Sequence, residues 1–252
     1  AFGPDLVVNA AAVTAVDAAE TDPGPAWAVN RDGARAVALA CAAAGIPLVH
    51  LSTDYVFDGG VPGSRHPYRP FDPVRPLSVY GASKAAGEVA VRETHRSHAI
   101  VRTSWVFSAG GRNFLTTMLR LAGERPELRV VDDQIGCPTS AADVAAAIVV
   151  LARHLLDGTC SALGTHHFCN AGPASWFDFA QSIFGRAARM GVAVPRLVPI
   201  PTSAYPTPAR RPLWSVLDTA GLQAAIGHVP RPWTEALADV MAELAVPAGA
   251  AA

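Results

Sequence analysis

The segment Ile46–Asp54, IPLVHLSTD, is a short apolar run that ends in hydroxyl and carboxylate side chains. Runs of this length and composition are typical of buried parallel strands. Two similar runs, Asp5–Ala12 (DLVVNAAA) before it and His98–Phe107 (HAIVRTSWVF) after it, predict two more strands. Helical apolar spacing over Pro25–Gly45 and Leu77–Arg96 fills the intervals. This alternation predicts βαβ units, and therefore an α/β fold built on a parallel sheet.

The composition changes after about Gly172. A helical segment there is followed by Val194–Ser215, VPRLVPIPTSAYPTPARRPLWS, which is rich in proline. We therefore predict two domains, a sheet domain over residues 1–171 and a small lobe over residues 172–252 whose loops close over a site. The tail PAGAAA is expected to be disordered.

Overall composition narrows the choice of partners and compartment. A net charge of −1 gives no electrostatic case for nucleic acid or an anionic membrane surface. No uninterrupted apolar run approaches the ~18 residues of a membrane span. The cysteines show no CxxC pairing and no histidine at metal-ligand spacing, so we predict reduced thiols, a cytoplasmic protein and no metal site. The four cysteines are Cys41, Cys137, Cys160 and Cys169.

The sequence contains a single lysine, Lys84, four residues after Tyr80 in the segment SVYGASKAAGE. On a helix this spacing places the ammonium and the phenol on one face. A neighbouring positive charge lowers the pKa of a phenol. A shift of roughly three units, which requires about 4 kcal/mol, would suit general acid–base chemistry at neutral pH. The alternative is a helical pair without a functional role.

Polar or aromatic side chains follow two of the predicted strands. Ser52, Thr53 and Asp54 end one strand, and Trp105 lies near the end of another. Ligands of open α/β sheets bind outside the carboxyl ends of the strands. A hydroxyl there can hydrogen-bond a carbonyl oxygen, and an indole can stack on a sugar or a base. Alternatively, the hydroxyls begin a turn and the indole belongs to the core.

The first predicted strand ends in small residues instead: Ala10, Ala11 and Ala12, followed by Thr14. Small side chains let a flat cofactor approach the backbone. Tight helix packing would explain the same residues equally well.

With these segments in view, the chain resembles the extended short-chain dehydrogenase/reductases, and within them the dTDP-4-dehydrorhamnose reductase family. The similarity spans nearly the whole chain, and STDYVFDG combined with the late YPTPARRP is its most specific part. The other matching segments are NAAAVTAVDAAE, VNRDGARAVA, PLSVYGASKAAGE, VRTSWVF, NFLTTMLRLA and VVDDQIGCPTSAADVA. The resemblance implies a Rossmann-like, doubly wound dinucleotide-binding domain and a small substrate-binding lobe.

The resemblance also implies a reaction, in which NADPH or NADH reduces the C4 keto group of dTDP-4-dehydro-L-rhamnose in dTDP-L-rhamnose biosynthesis. Tyr80 would protonate the nascent alkoxide, Lys84 would lower the pKa of Tyr80 and hold the nicotinamide ribose, and Thr53 would hydrogen-bond the carbonyl. The expected substrate-binding residues are Thr53, Asp54, Trp105 and Asn113. The expected cofactor-binding residues are Ala10, Ala11, Ala12, Val13, Thr14, Leu51, Ser52, Tyr80 and Lys84.

Several choices stay open at this point. Arg210 and Arg211 either contact the nucleotide or form ion pairs within the small lobe. The preference between NADPH and NADH, a divalent cation and a homodimer are not decided by the sequence. A reductase of a related nucleotide 4-keto-sugar is one alternative function. A non-catalytic regulatory or binding homologue is another.

Two departures from family patterns carry information. Sugar-nucleotide dehydratases of this superfamily have Thr-Asp-Glu where this chain has Thr53-Asp54-Tyr55. Without that glutamate the removal of water lacks its carboxylate, which favours a reductase. The family also begins with a glycine-rich turn that binds the pyrophosphate. The chain shows no such motif, so the N-terminal strands of the sheet and half of the cofactor site are expected to be missing.

Overall fold

The computed structural model describes residues 3–60 and 65–245, so the predicted disorder of the tail lies outside the described residues. The strands are β1 (Val7–Asn9), β2 (Leu48–Thr53), β3 (His98–Thr103), β4 (Val106–Phe107), β5 (Glu127–Val131), β6 (Ile135–Gly136), β7 (Thr139–Ser140), β8 (Gly164–His167), β9 (Ala174–Ser175) and β10 (Arg196–Ile200). The helices are α1 (Val16–Thr21), α2 (Gly24–Trp27), α3 (Ala34–Ala44), α4 (Val79–Thr94), α5 (Phe114–Ala122), α6 (Ala141–Leu156), α7 (Trp176–Arg189), α8 (Ala220–Ile226) and α9 (Trp233–Ala245).

A four-stranded parallel sheet with the order β1-β2-β3-β8 is built from strands that lie between residues 7 and 167. The three strands predicted from sequence are β1, β2 and β3. In the register of the sheet Thr53 is paired with Thr103, so the two strands end side by side. This arrangement brings the polar residues that follow each strand to one edge of the sheet.

Helices cover both faces of this sheet. Alternate residues of a strand point to opposite faces, so each face carries apolar side chains that must be buried. Leu48 and Ile100 pack with α3 and α4 on one face. Val49 and Val101 pack with α6 and α8 on the other face. The doubly wound α/β architecture is thereby confirmed.

The predicted helix over residues 25–45 is interrupted. It comprises α2, a π-helical turn over Ala28–Gly33, and α3. Wide turns of this kind are rare and frequently occur near functional sites. The predicted end at Gly45 is confirmed, since Gly45 has φ of 70° and its N–H caps α3.

A second hydrophobic core lies between α5, α7 and α9. Phe107, Leu115 and Leu128 contribute to it from before residue 172, and Phe179 and Leu237 contribute from after it. The strand β10 pairs in parallel with β5. The small lobe therefore takes segments from both sides of residue 172, and the domain boundary itself stays a prediction.

Across the part of the chain that is described, no helix is both long enough and apolar enough to cross a membrane.

Candidate functional site

The end of β2 and the residue that follows it place the side chains of Thr53 and Asp54 at the sheet edge. Thr53 is buried; its hydroxyl donates to Asp54 Oδ1 at 3.0 Å and accepts the N–H of Tyr55 at 3.1 Å. The second Asp54 oxygen, Oδ2, is buried without a partner among the described residues. Burial raises the pKa of Asp54 to about 7, although hydroxyls of Ser215 and Thr53 oppose the shift. A carboxyl in this state can bind or release a proton near neutral pH.

Helix α4 carries Tyr80 and Lys84 to the same edge. Its N-cap Ser78 accepts the N–H of Gly81 at 3.1 Å, which fixes the first turn and with it Tyr80. The hydroxyl of Thr53 lies near the phenol of Tyr80. The ring of Tyr55 meets the ring of Tyr80 edge-on at 5.9 Å. The predicted grouping of Tyr80 with Thr53 is thus present.

Lys84 lies beneath the sheet edge, where it contacts the backbone of β2. Its ammonium is buried and donates to the carbonyl oxygen of Leu51 at 2.6 Å. Burial lowers the pKa of Lys84 to about 8, and nearby Glu88 opposes that change. The pKa of Tyr80 is raised to about 12, chiefly by desolvation of its hydroxyl, and the nearby hydroxyl of Thr53 offsets only part of the rise. The pKa of Tyr80 is therefore raised in this structure and not lowered as the sequence predicted, because burial disfavours the phenolate.

The segment that follows β1 is held by two asparagines that the sequence reading did not single out. Asn9 Oδ1 accepts the N–H of Ala11 at 3.2 Å. Asn30, fully buried in the π-helical turn, accepts the N–H of Val13 at 2.8 Å and donates to its carbonyl at 3.1 Å. Asn30 also donates to Ser83 of α4 at 2.9 Å. These bonds fix the backbone of the segment against the helix that carries Tyr80.

The other proposed cofactor-binding residues differ in exposure and in their hydrogen bonds. The side chains of Ala10, Ala11 and Thr14 are exposed, and that of Ala12 is partly exposed. Leu51 contributes its carbonyl to Lys84. The hydroxyl of Ser52 donates a hydrogen bond to Glu88 Oε1 at 2.6 Å, so its proton is not free to bind a cofactor.

Trp105 follows β3 in a strained backbone conformation. Its φ is 47°, the one positive value at a residue other than glycine in the described chain. For a bulky residue this conformation costs about 1–3 kcal/mol and persists only where the surroundings enforce it. Its indole stacks on Trp176 with ring centroids 3.5 Å apart and planes 3° apart. The backbone of Gly136 lies so close to the indole that a Cβ there would meet it at 2.5 Å.

A cavity of about 650 Å³ lies in the small lobe. Trp176 and Gln134 line it, and so does Arg211. Phe114 and Thr117 of α5 form another part of the wall. Its walls combine aromatic and aliphatic side chains with several arginines and one carboxylate.

Asn113 and the arginine pair take positions that the sequence left undecided. Asn113 caps α5: its Oδ1 accepts the N–H of Thr116 at 3.1 Å, and its amide donates to Ser108 at 2.9 Å. Arg211 pairs with Asp17 of α1 at 2.7 Å, outside the small lobe, while it also lines the cavity. Arg210 is exposed.

Three of these residues, Trp176, Gln134 and Asp17, lie in segments with visible signals. Ser175 and Asp178 form a capping box around the start of α7, so Trp176 could have been placed at a helix N-terminus. Gln134 and Asp17 fall within the segments VVDDQIG and VTAVDAAE. The roles of Gln134 and Asp17 become visible only from the residues that they contact in the folded chain. No cluster of three or more metal-binding side chains occurs within residues 3–60 and 65–245.

Comparisons with known proteins agree with this arrangement. The family model of the RmlD substrate binding domain matches residues 1–246. A dTDP-4-dehydrorhamnose reductase from Sinorhizobium fredii is 46% identical over 233 residues, covering 92% of this chain and 78% of the relative. The enzyme of that name from Escherichia coli K12 is 42% identical over 246 residues, covering 96% of this chain and 80% of the relative.

Among solved structures, dTDP-4-dehydrorhamnose reductase from Bacillus anthracis in complex with NADP aligns with a TM-score of 0.86. The sequence identity is 39%, and the alignment covers 95% of this chain and 81% of that chain. The family model spans nearly the whole chain, and the relatives agree with it over most of their length. The resemblance inferred from the sequence is thereby confirmed, and the chain belongs to the family of the RmlD substrate binding domain.

Proposed function

We propose that this chain reduces the C4 keto group of dTDP-4-dehydro-L-rhamnose with NADPH or NADH, a step of dTDP-L-rhamnose biosynthesis. The observation that carries the proposal is that Thr53 and Tyr80 lie near each other at the carboxyl edge of a parallel sheet, with Lys84 one helical turn away. Relatives more than 40% identical carry the name of this reductase.

The residues at the sheet edge fit a nicotinamide cofactor. Ala10 and Ala11 expose only methyl groups, and Asn9 and Asn30 hold the backbone around them rigid, so a flat ring can lie against it. The segment Ala10–Thr14 would hold the cofactor together with Leu51, Ser52, Tyr80 and Lys84. The B. anthracis relative was solved in complex with NADP. When bound, the cofactor supplies the hydride for C4 of the sugar.

Tyr80 is the proposed proton donor. Reduction of a ketone needs a protonated donor beside the carbonyl oxygen, and a phenol with a pKa of about 12 is protonated at neutral pH. Thr53 orients the phenol and shares the carbonyl oxygen with it. Lys84 donates to Leu51, and its positive charge would stabilise negative charge on Tyr80 after proton transfer.

The sugar nucleotide is proposed to extend from this edge into the cavity of the small lobe. Asp54 and Trp105 would contact the sugar. Asn113 would act by fixing the start of α5 near the phosphates, because its own amide is already committed. Arg211 would provide positive charge at the cavity wall.

A dehydratase is disfavoured by the residue that follows Asp54. The position is occupied by Tyr55, whose pKa is raised well above that of a free phenol, chiefly by burial. A phenol in this setting cannot replace a carboxylate as the base for removing water.

The test is oxidation of NADPH or NADH that depends on dTDP-4-dehydro-L-rhamnose, or the reverse reaction with dTDP-L-rhamnose. Tyr80→Phe should lower kcat by about 10²–10⁴-fold while cofactor binding, followed by fluorescence, is retained. Tyr68→Phe is the matched control, since Tyr68 bonds Asp58 and stacks on Phe57 away from the proposed site.

Failure to bind either cofactor, both by this chain and by a longer chain that includes a glycine-rich N-terminal turn, would refute the reductase and favour a binding or regulatory role. Turnover of a different nucleotide 4-keto-sugar in preference to the rhamnose precursor would correct the substrate.

Two further expectations accompany the reductase. Cys41, Cys137, Cys160 and Cys169 are all unpaired, which supports a cytoplasmic location. A homodimer stays a prediction that light scattering after size-exclusion chromatography would test.

A further inference from the structure

The conformation of Trp105 requires an explanation that its own segment does not supply. The backbone on either side is anchored: Ser104 donates to the carbonyl of Cys137 at 2.7 Å, and the carbonyl of Trp105 accepts from Thr139 at 3.2 Å. These bonds fix the chain but not the plane of the indole. The indole is fixed by Trp176, which covers one ring face at 3.5 Å, and by the close backbone of Gly136.

Trp176 is itself immobilised by a chain of hydrogen bonds. Its Nε1 donates to Gln134 Oε1 at 3.2 Å, and Gln134 Nε2 donates to Thr202 Oγ1 at 3.0 Å. Thr202 is held through its N–H by Asp133 at 2.8 Å. Phe114 packs against the ring of Trp176 at 4.6 Å. The orientation of Trp105 thus depends on segments far from it in sequence.

We propose that Trp176 is a positioning residue for the reductase reaction: its indole holds Trp105 in the plane in which Trp105 contacts the sugar. Trp176 also lines the cavity, so it connects the nucleotide subsite to the sugar contact. This inference rests on the proposed function, since it assumes that Trp105 touches the sugar. Under this proposal Trp176, which lies outside the YxxxK and STD segments, affects the orientation of the bound sugar.

The alternative is that Trp176 serves only as cavity wall. In that case its removal would weaken dTDP and dTDP-L-rhamnose equally. A positioning role predicts an additional loss for the ligand that carries the sugar, because only that ligand depends on the plane of Trp105.

The first readout concerns the free protein. Trp176→Leu and Trp176→Phe are prepared beside the control Trp27→Leu, which removes another half-buried indole, in α2. In the face-to-face stack, ring current moves the indole proton resonances of Trp105 upfield. Trp176→Leu should shift them downfield and Trp27→Leu should leave them unchanged. Unshifted resonances in Trp176→Leu would overturn the proposal.

The second readout concerns binding and turnover. Trp176→Leu should raise KM for dTDP-L-rhamnose about tenfold and change kcat less than threefold, with Kd for dTDP rising by a clearly smaller factor. Trp176→Phe should restore most of the lost affinity. Equal losses for the two ligands would overturn the proposal, while the loss of activity in Tyr80→Phe would still support the reductase. Unchanged KM in Trp105→Leu would instead refute the proposed sugar contact.

Discussion

At the scale of single residues, burial decides the behaviour of the charged groups at the sheet edge. Burial raises the pKa of Tyr80 to about 12 and that of Asp54 to about 7, and it lowers the pKa of Lys84 to about 8. Each shift favours the neutral form of its group. A sequence motif shows which titratable residues meet, but the direction of these shifts depends on how much solvent each one retains.

Asp54 gives a prediction on stability. In the folded protein its carboxyl holds a proton that the unfolded chain has already released, so its contribution to the free energy of unfolding falls as pH rises from about 4 to about 7. Asp54→Asn removes this penalty. We expect the variant to be more stable than the parent at pH 8, by on the order of 3 kcal/mol, with the difference shrinking towards pH 4.

Urea unfolding at several pH values measures the effect of Asp54→Asn. Asp58→Asn is the control, because the pKa of Asp58 is lowered by its hydrogen bonds and its loss should not stabilise the protein at any pH. A less stable Asp54→Asn protein at pH 8 would mean that the buried carboxylate is ionised and well solvated.

At the scale of elements, close approach of backbones positions α4. A Cβ on Gly87 would overlap the carbonyl oxygen of Asn30 in the π-helical turn, and a Cβ on Gly81 would overlap the carbonyl oxygen of Tyr55. Glu88, on the same helix, forms a buried pair with Arg102 of β3 at 2.7 Å. These contacts fix the position of α4 against its neighbours, and therefore the position of Tyr80 at the sheet edge.

Gly87→Ala tests this close packing. Alanine favours a helix over glycine by ~1 kcal/mol, but the overlap with Asn30 should reverse that gain and destabilise the protein by about 1–3 kcal/mol. Gly185→Ala in α7 meets no atom within 4 Å and should be stabilising by about 0.5–1 kcal/mol. Thermal and urea unfolding of both variants provide the comparison. Stabilisation by both substitutions would show that the Asn30 turn can move away.

At the scale of the whole molecule, one ion pair joins the proposed cofactor and substrate sites. Asp17 follows the Ala10–Thr14 segment, and its carboxylate accepts two hydrogen bonds from Arg211, at 2.7 and 3.2 Å. The N–H of Ala209 adds a third at 3.2 Å. The proline-rich segment is thereby tied to the sheet domain beside the cavity.

This connection predicts energetic coupling between the two ligands. Cofactor bound against Ala10–Thr14 should stabilise the position of Asp17, and with it that of Arg211 at the cavity wall. Asp17→Asn should reduce the tightening of dTDP binding by NADPH about fivefold or more, and by reciprocity the tightening of NADPH binding by dTDP. Its effect on stability should stay below about 1 kcal/mol, since the pair is partly exposed.

Calorimetric titration of each ligand with and without the other measures the coupling. Asp239→Asn, which removes one exposed partner of Arg231, is the matched control and should leave the coupling unchanged. Unaltered coupling in Asp17→Asn would assign the pair to structure alone.

The amino-acid sequence was enough to predict the parallel α/β sheet, the position of Tyr80 and Lys84 on one helix, and the family. These features depend on local patterns: apolar runs, the four-residue repeat of a helix face, and residue types at strand ends. The tertiary structure decided what distant segments do to one another. The stack of Trp105 on Trp176, the clamp of Asn30 on Val13 and the pairing of Asp17 with Arg211 join residues between 17 and 194 positions apart. Such contacts arise from packing and desolvation, which no local pattern encodes, and they set the pKa values and orientations on which the proposed chemistry depends.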